Sequence, residues 1–348
     1  MADLFSTDVL TETVQSLIAA PQFFLSRFFP KTQLSEAEEI HFDIFDIIDI
    51  IDIIDKSRRL APFVSPLVAG KIVRSNGFKT STFKPAYVKD KRLFDSKRPF
   101  KRAVGEQIGE RQLTAFQRLT RALALDLIDQ KGMLDCRMGV MAAEALLTGE
   151  VTVSGEDYPS TVVDYQRDPA LTFALPTLQK WDQPGISPLD HLQDWAQSIL
   201  QKTGAAARDV VMPVDVWQAF REHPQIEPRL NRLRGTSTLK QNAQVAEDAV
   251  FMGEIDGFNI FVYAGWYVDD NDAEQPILPA DRIVLSGAGI DGVRAFGAIK
   301  DEEAGFQALE YYPKSWTDED PSFRYLLMQS APLVVPTRVN ASMSVTVL

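Results

Sequence analysis

The chain has 348 residues, of which 45% are hydrophobic, and a formal net charge of −12. This length suffices for two domains or for one domain with long extensions, and the apolar content excludes a wholly disordered chain. The negative charge argues against a dedicated nucleic-acid-binding protein, because phosphate binding needs clustered positive charge.

The single cysteine, Cys136, excludes an intramolecular disulfide and indicates a protein of a reducing cytoplasm, or one assembled there. The first fifteen residues lack the basic region and apolar run of a signal peptide. No uncharged apolar stretch reaches the roughly 18 residues of a membrane-spanning helix, so no membrane association is expected.

The amino-terminal segment is predicted to form a short amphipathic helix that ends before Pro21. Its apolar positions recur at helical spacing: Leu10, Val14, Leu17 and Ile18. The segment PQFFLSRFFP follows, and its aromatic surface has to be buried, either on the chain's own body or on a neighbouring subunit. Both alternatives are open for its four phenylalanines, which are Phe23, Phe24, Phe28 and Phe29.

Residues 40–55 form a low-complexity run with an aspartate at every third position from Asp43 to Asp55. A calcium loop requires oxygen ligands at alternating positions and a turn glycine, and this run contains no glycine. The pattern favours a partly exposed segment of β or mixed structure.

Residues 57–102 are predicted to be strand-like, with a turn at Asn76-Gly77. Between Lys71 and Arg102 there are eleven Lys or Arg against two acids, a net charge of +9, so the remainder of the chain carries −21. Such a basic hairpin is either a solvated loop or a loop that embraces an acidic surface of another copy. The candidate interface residues are Lys71, Arg74, Lys79, Lys84, Lys89, Lys91 and Arg92.

A long helix is predicted from about residue 104 to residue 149, because this stretch lacks proline and its apolar residues share one helical face. That face comprises Leu113, Phe116, Leu123, Leu127, Leu134 and Met141. A bend near Gly132 would be unsurprising, since glycine weakens a helix by about 1 kcal/mol relative to alanine.

After the helix, residues 149–166 alternate as a β-hairpin, and residues 171–188 form a loop between domains. A helix is predicted from Pro188 to about Thr203, ended by Gly204. Strands and one short helix then alternate to the carboxyl end. They comprise a strand at 209–212, a helix at 213–222, and strands at 251–252, 258–263, 267–268, 282–285, 293–299, 325–329, 333–335 and 342–348.

Motifs of catalysis and metal binding are missing from the sequence. The three histidines lie in separate segments, and neither a Gly-x-Ser-x-Gly elbow nor a Walker loop is present. The glycine cluster SGAGIDG is not a dinucleotide fingerprint, because no helix is predicted after it. We therefore expect no catalytic residue, cofactor or metal site.

Five segments, in order, resemble the phage lambda major capsid protein family. They are RLAPFVSPLVAGKIVRSNGFKTSTFKPAYV (59–88), RGTSTLKQNAQ (234–244), GFNIFVYAGWYVDD (257–270), LPADRIVLSG (278–287) and YYPKSWTDEDPSFRYLLMQSAPLVV (311–335). The resemblance implies the HK97-type capsid fold, which is of the α+β class. It divides the chain into an N-terminal arm (1–56), an E-loop (57–102), a P-domain with a long spine helix (103–184), an A-domain (185–310) and C-terminal strands that return to the P-domain (311–348).

The resemblance also implies partners. The chain would form homo-oligomers, the hexamers and pentamers of an icosahedral shell, first around a scaffold protein and later with a decoration protein. The shell would be assembled in the host cytoplasm and become the virion head, enclosing double-stranded DNA without specific binding. Because lambda-like members rely on decoration, the lysine–asparagine cross-link of some relatives is not predicted. Two alternatives stay open: another structural phage protein of the tube or portal type, and a hydrolase with scattered carboxylates.

Overall fold

A computed structural model describes residues 5–17, 22–36, 39–44, 79–95, 114–155, 158–226, 243–246, 248–269, 272–318 and 323–348. Most of the Asp-Ile-Ile run, Lys71, Arg74 and residues 104–113 lie outside these ranges. The helices of the described ranges are α1 (Thr7–Ser16), α2 (Phe23–Phe28), α3 (Ala115–Leu147), α4 (Pro188–Thr203) and α5 (Val214–Glu222).

Nineteen strands accompany these helices within the described ranges. They are β1 (Lys31–Leu34), β2 (Ile40–Ile44), β3 (Lys79–Phe83), β4 (Val88–Asp95), β5 (Glu150–Gly155), β6 (Tyr158–Asp164), β7 (Thr172–Ala174), β8 (Asp209–Pro213), β9 (Ala243–Ala246), β10 (Ala249–Ile255), β11 (Phe258–Tyr263), β12 (Trp266–Val268), β13 (Glu274–Pro276), β14 (Arg282–Ser286), β15 (Gly292–Phe296), β16 (Tyr312–Asp318), β17 (Phe323–Ser330), β18 (Pro332–Pro336) and β19 (Met343–Thr346).

The long helix α3 runs unbroken for 33 residues, with no interruption at Gly132. Thr114 begins it with a capping box, in which its hydroxyl accepts from the Gln117 amide and the Gln117 side chain accepts from the Thr114 amide. Most of the predicted apolar face is buried, and Leu123 is the first buried residue. Phe116 was expected on this face but is 63% exposed, because the first two turns project beyond the core of the same chain.

The largest sheet has seven strands in the order β7-β19-β14-β8-β11-β10-β9. Helices α4 and α5 pack on it in one hydrophobic cluster that includes Leu192, Ile199 and Phe220. The predicted bounds of α4 are confirmed: the Ser187 hydroxyl accepts from the Asp190 amide, and Gly204 ends the helix at φ 73°. This helix is predictable because its stop and start signals are local.

Two three-stranded sheets flank α3. In one, β17 lies between β16 and β4, and its residues Leu326 and Met328 pack with α1 and α3 in a second cluster. In the other, β15 lies between β1 and β18, with β1 parallel to β15. Strand β16 was not predicted, because YPKSWTD lacks alternating apolar residues.

Three two-stranded ribbons complete the described structure: β2–β3, β5–β6 and β12–β13. In the β2–β3 ribbon Ile40 pairs with Phe83 and Ile44 with Lys79, so the ends of the connection 45–78 are brought side by side. The expected boundary between arm and E-loop, at residue 56, falls within this connection and outside the described residues. No helix in the described ranges combines the length and apolar composition that crossing a membrane requires.

Candidate assembly surface

The four arm phenylalanines, Phe23, Phe24, Phe28 and Phe29, are buried within the chain itself. Each is at most 1% exposed. The ring of Phe23 lies 5.1 Å from that of Phe261, and the ring of Phe24 lies 4.6 Å from that of Tyr263. Of the two alternatives, burial on the chain's own body is the one that these contacts support, because strand β11 supplies aromatic partners for the rings.

Polar contacts fix the same segment. The Arg27 guanidinium donates to both carboxylate oxygens of Asp209, at 2.8 and 2.9 Å, and stacks 5.3 Å from the Phe261 ring. The Asn259 amide also donates to Asp209, at 2.8 Å. At Gly292 a Cβ atom would approach the Phe28 carbonyl oxygen to 2.3 Å, so only glycine permits this close approach. Residues 23–29 thus pack into the chain's own core, whereas strand β1 is exposed.

The seven basic interface candidates lie in different environments in the structure. Lys71 and Arg74 lie outside the described residues, and Lys79 begins β3. Lys84 and Lys89 are exposed. The Lys89 ammonium lies 5.5 Å from the centre of the Tyr87 ring, so it stays accessible at the surface.

Lys91 and Arg92 make contacts within their own chain. The Lys91 ammonium lies 4.0 Å from the Tyr325 ring centre and 5.1 Å from that of Trp316, on one face of the β16-β17-β4 sheet. On the other face Arg92 pairs with Asp129 at 2.7 Å, Asp90 at 3.0 Å and Asp126 at 3.7 Å. Burial opposes the charge of Arg92, but its hydrogen bonds to Asp129 and Asp90 prevail and raise its pKa.

The ion pairs of Arg92 lie within its own chain, so its role at a subunit interface stays a prediction. Two of its three acids project from α3, three residues apart and hence on one helical face. Strand β4 belongs to the sheet that covers α3, so the pair attaches that sheet to the helix. Among the described basic candidates, Lys84, Lys89 and Lys91 are exposed.

The acids around residue 301 are partly neutralised by their own chain. Lys314 lies 2.9 Å from Asp301 and 3.2 Å from Glu303. Burial tends to raise the pKa of Asp301, yet the hydrogen bond from Lys314 outweighs it and the pKa is lowered. These acids therefore offer less uncompensated negative charge to another chain than the three carboxylates of residues 301–303 suggest.

A groove of about 800 Å³ opens beside Lys89. Its walls are the start of β4, the middle of α3 and the β5–β6 ribbon, and its apolar floor includes Met141, Val153 and Pro332. Among the described residues, its charged lining residues are Lys89 and Arg137.

Arg167 is a buried polar residue that the sequence analysis did not single out, and it binds the carboxyl end of α3. Arg167 is 7% exposed, and its guanidinium donates to the carbonyl oxygens of Leu146, Leu171 and Ser342 at 2.7 to 3.0 Å. Burial, aided by repulsion from Arg282, lowers the pKa of Arg167 to about 9. Nothing in the local sequence distinguishes this arginine from a surface one.

Other candidate functional groups, such as metal ligands, histidines and cysteines, are few among the described residues. The described residues contain no group of three or more His, Cys, Asp or Glu side chains placed to hold a metal ion. His191 accepts from the Trp181 indole nitrogen at 3.3 Å and its ring lies 5.4 Å from that of Trp195, and burial lowers its pKa. Cys136 is half-buried, and burial raises the pKa of its thiol.

Comparison with known proteins gives a consistent result. A family model described as phage major capsid protein E matches residues 6–347. A prophage-derived major head protein of Escherichia coli strain CFT073 is 27% identical over 338 residues, which cover 95% of this chain and 96% of that protein. The major capsid protein of Escherichia phage lambda is 28% identical over 282 residues, or 79% of this chain and 82% of the relative.

A solved structure shows the same fold. It is that of a protein assigned as the capsid protein of a prophage of E. coli CFT073, with a TM-score of 0.73 and 23% identity, covering 98% of this chain and 99% of that one. The expected α+β fold class is confirmed.

Proposed function

The chain belongs to the phage major capsid protein E family, and from this premise we propose that it assembles into hexamers and pentamers of an icosahedral shell enclosing double-stranded DNA. It is a major capsid protein with the HK97-type fold, a structural component of the virion. The match over residues 6–347 is the observation that carries this conclusion.

The described structure supports assembly in two ways. The first turns of α3 project from the chain's own core and expose Phe116, while Leu125, Ile128 and Met133 are exposed further along the helix. Apolar side chains exposed along one long element are typical of a surface that another subunit covers. The groove beside Lys89 provides a second recess of the size that a chain segment fills.

The charge balance supports enclosure of DNA without specific binding. A shell subunit with a net charge of −12 repels phosphates on average, so DNA can be packed without adhering to the wall. On the resemblance described in the sequence analysis, we further propose that assembly takes place in the host cytoplasm around a scaffold protein, with a decoration protein added later. The domain division into arm, E-loop, P-domain and A-domain is likewise part of the proposal.

Assembly is tested by expressing the chain and examining it by sedimentation velocity and negative-stain electron microscopy. Closed shells, or rings of five and six subunits, are the expected result. A tube or portal protein would instead form rings of one fixed size without closed particles. A single monomer peak over a wide range of protein and salt concentration would contradict the proposal.

A further inference from the structure

Phe306 is an exposed aromatic residue held in a backbone conformation that phenylalanine rarely adopts. Its φ is +58°, in the left-handed region, and the residue is 60% exposed. A side chain in this region crowds the following carbonyl oxygen, and an exposed ring gains little from the hydrophobic effect. Folding of the subunit alone therefore does not account for a phenylalanine at this position.

The other non-glycine residues at positive φ are of a different kind. Within the described ranges they are all polar, and they comprise Gln166, Asp256, Asp272 and Asp291. Aspartate tolerates the left-handed region because its short side chain can hydrogen-bond to the nearby backbone. Glycine or asparagine would fit position 306 with less strain, and glycine does occupy position 305, at φ +61°.

Backbone hydrogen bonds close the turn that carries Phe306. The Gly305 amide donates to the Glu302 carbonyl oxygen at 3.0 Å. The Ile299 amide donates to the Gln307 carbonyl oxygen at 2.9 Å, which joins the two ends of the turn. The conformation of the turn is thus set by its own backbone and does not depend on the phenyl ring.

Side chains attach the same turn to the body of the subunit. Lys314 of β16 lies 2.9 Å from Asp301, and the buried Ala304 packs in one cluster with Tyr312. The ring of Phe306 is therefore presented on a fixed base. Such preorganisation lowers the entropic cost of covering the ring with a partner.

A large exposed aromatic side chain on a fixed base has the properties of an interface anchor. In the shell of the proposed function, the partner available to every subunit is a second copy of the chain. Residues 301–307 contain three acids and neither lysine nor arginine, so a strongly acidic receiving surface is disfavoured. The surface that fits is an apolar recess with a neutral or basic rim.

We propose that Phe306 anchors a contact between subunits of the shell, with its ring inserted into an apolar recess of a neighbouring copy. The proposal rests on the proposed function, because it requires a second copy. Burial of the ring in that recess is favourable and offsets the strain that the isolated subunit carries. The residue is thus unfavourable for the free subunit and favourable for the assembled one.

Substitutions at position 306 separate a role in assembly from a role in folding. In the unassembled subunit, Phe306→Gly and Phe306→Asn should leave the thermal unfolding midpoint unchanged or raise it, because both residues accept a positive φ. The shell yield of the chain expressed alone should fall by about tenfold or more, as counted by electron microscopy. Phe306→Tyr keeps the ring and should give the wild-type yield. The matched control Leu178→Asn removes another apolar side chain, 83% exposed, and should also give the wild-type yield.

The opposite results overturn the inference. A lowered unfolding midpoint in the glycine and asparagine variants means that the ring stabilises its own subunit, and a wild-type shell yield means that the ring anchors nothing. An equal loss of yield in Leu178→Asn means that assembly responds to surface hydrophobicity in general. If the wild-type chain forms no shells, the proposed function itself fails and the anchor fails with it.

A photo-cross-link tests the contact directly. Unlabelled subunits carrying 4-benzoylphenylalanine at position 306 are assembled with ¹⁵N-labelled wild-type subunits and irradiated, and the linked peptides are identified by mass spectrometry. Links from position 306 to ¹⁵N-labelled peptides, formed in shells and absent from unassembled subunits, are the expected products. Links confined to unlabelled peptides, equally abundant before and after assembly, would place the ring on its own chain and contradict the proposal.

Discussion

Arg27 and Asp209, 182 residues apart in sequence, form a two-point ion pair in which Nε and Nη2 of the arginine lie 2.8 and 2.9 Å from the two carboxylate oxygens. The carboxylate side chain is 4% exposed, whereas the arginine side chain is 42% exposed. The pair joins the amino-terminal segment to strand β8 of the seven-stranded sheet. It explains why this segment is part of the core and not a free arm.

Replacing Arg27 with methionine should destabilise the unassembled subunit by about 3 kcal/mol, because it leaves a buried carboxylate with Asn259 as its remaining side-chain donor. Urea unfolding measures this loss. The matched control is Lys31→Met, whose pair with Asp291 is about half exposed on both sides and should cost less than about 1 kcal/mol. Equal losses in the two variants would show that burial of Asp209 is not what matters.

The arm phenylalanines should affect folding before they affect assembly. Phe24→Ala removes a ring that is 1% exposed and should cost about 3–5 kcal/mol of unfolding free energy in the unassembled subunit. Phe116→Ala, at a position 63% exposed, should stay within about 0.5 kcal/mol of wild type. A stable Phe24→Ala subunit that fails to form shells would instead favour docking of this ring on a neighbouring subunit.

Local signals predicted much of this fold, and long-range contacts account for what they missed. The caps of α4 are adjacent in sequence to the helix that they end, so Pro188–Thr203 was predictable. The burial of Phe23 depends on Phe261, and the neutralisation of Arg92 depends on Asp126 and Asp129 in another element. A basic residue in a basic stretch has the same sequence appearance whether it meets solvent, a neighbour or its own helix.

The contrast between Arg92 and Lys89 is testable with one substitution each. Arg92→Glu would place a fourth carboxylate beside Asp90, Asp126 and Asp129, so it should lower the unfolding free energy by about 1–3 kcal/mol. Lys89→Glu, at an exposed side chain, should change it by less than about 0.5 kcal/mol while reducing shell formation. Thermal unfolding of the two unassembled variants measures the difference. If Lys89→Glu is as destabilising as Arg92→Glu, its effect on assembly is a folding effect.

Buried tyrosines make the subunit sensitive to alkali. The Tyr165 hydroxyl donates to the Val334 carbonyl oxygen at 2.6 Å, and burial raises its pKa above the ordinary value. Because the folded-state pKa is the higher one, the unfolded chain releases this proton first, so stability is full below about pH 10 and falls as pH rises above it. Burial of its own hydroxyl likewise raises the pKa of Tyr312 to about 12.

Urea unfolding of the wild-type chain at pH 8, 10 and 11 should therefore show decreasing stability at the two higher values. Tyr165→Phe should be less stable than wild type at pH 8, since a buried acceptor loses its donor. Its further loss between pH 10 and 11 should be smaller, by up to about 1.4 kcal/mol, because one titrating group is gone. Parallel curves for the two proteins would contradict the assignment of alkaline sensitivity to Tyr165.

Two glycines of the spine region should respond in opposite directions to alanine. Gly132 lies inside α3, and a Cβ atom added there meets nothing within 4 Å. Gly132→Ala should stabilise the unassembled subunit by about 0.5–1 kcal/mol, because alanine restricts the unfolded chain and favours the helix.

Gly149 follows the same helix with φ at +79°, and its Cβ would approach the Cβ of Arg167 to 2.4 Å. Gly149→Ala should therefore destabilise by more than about 1 kcal/mol and disturb the arginine that holds the Leu146 carbonyl oxygen. Thermal denaturation of both variants, below the concentration at which subunits assemble, measures these changes in stability. A destabilising Gly132→Ala would mean that α3 bends at this position and is not the straight rod on which the sheets pack.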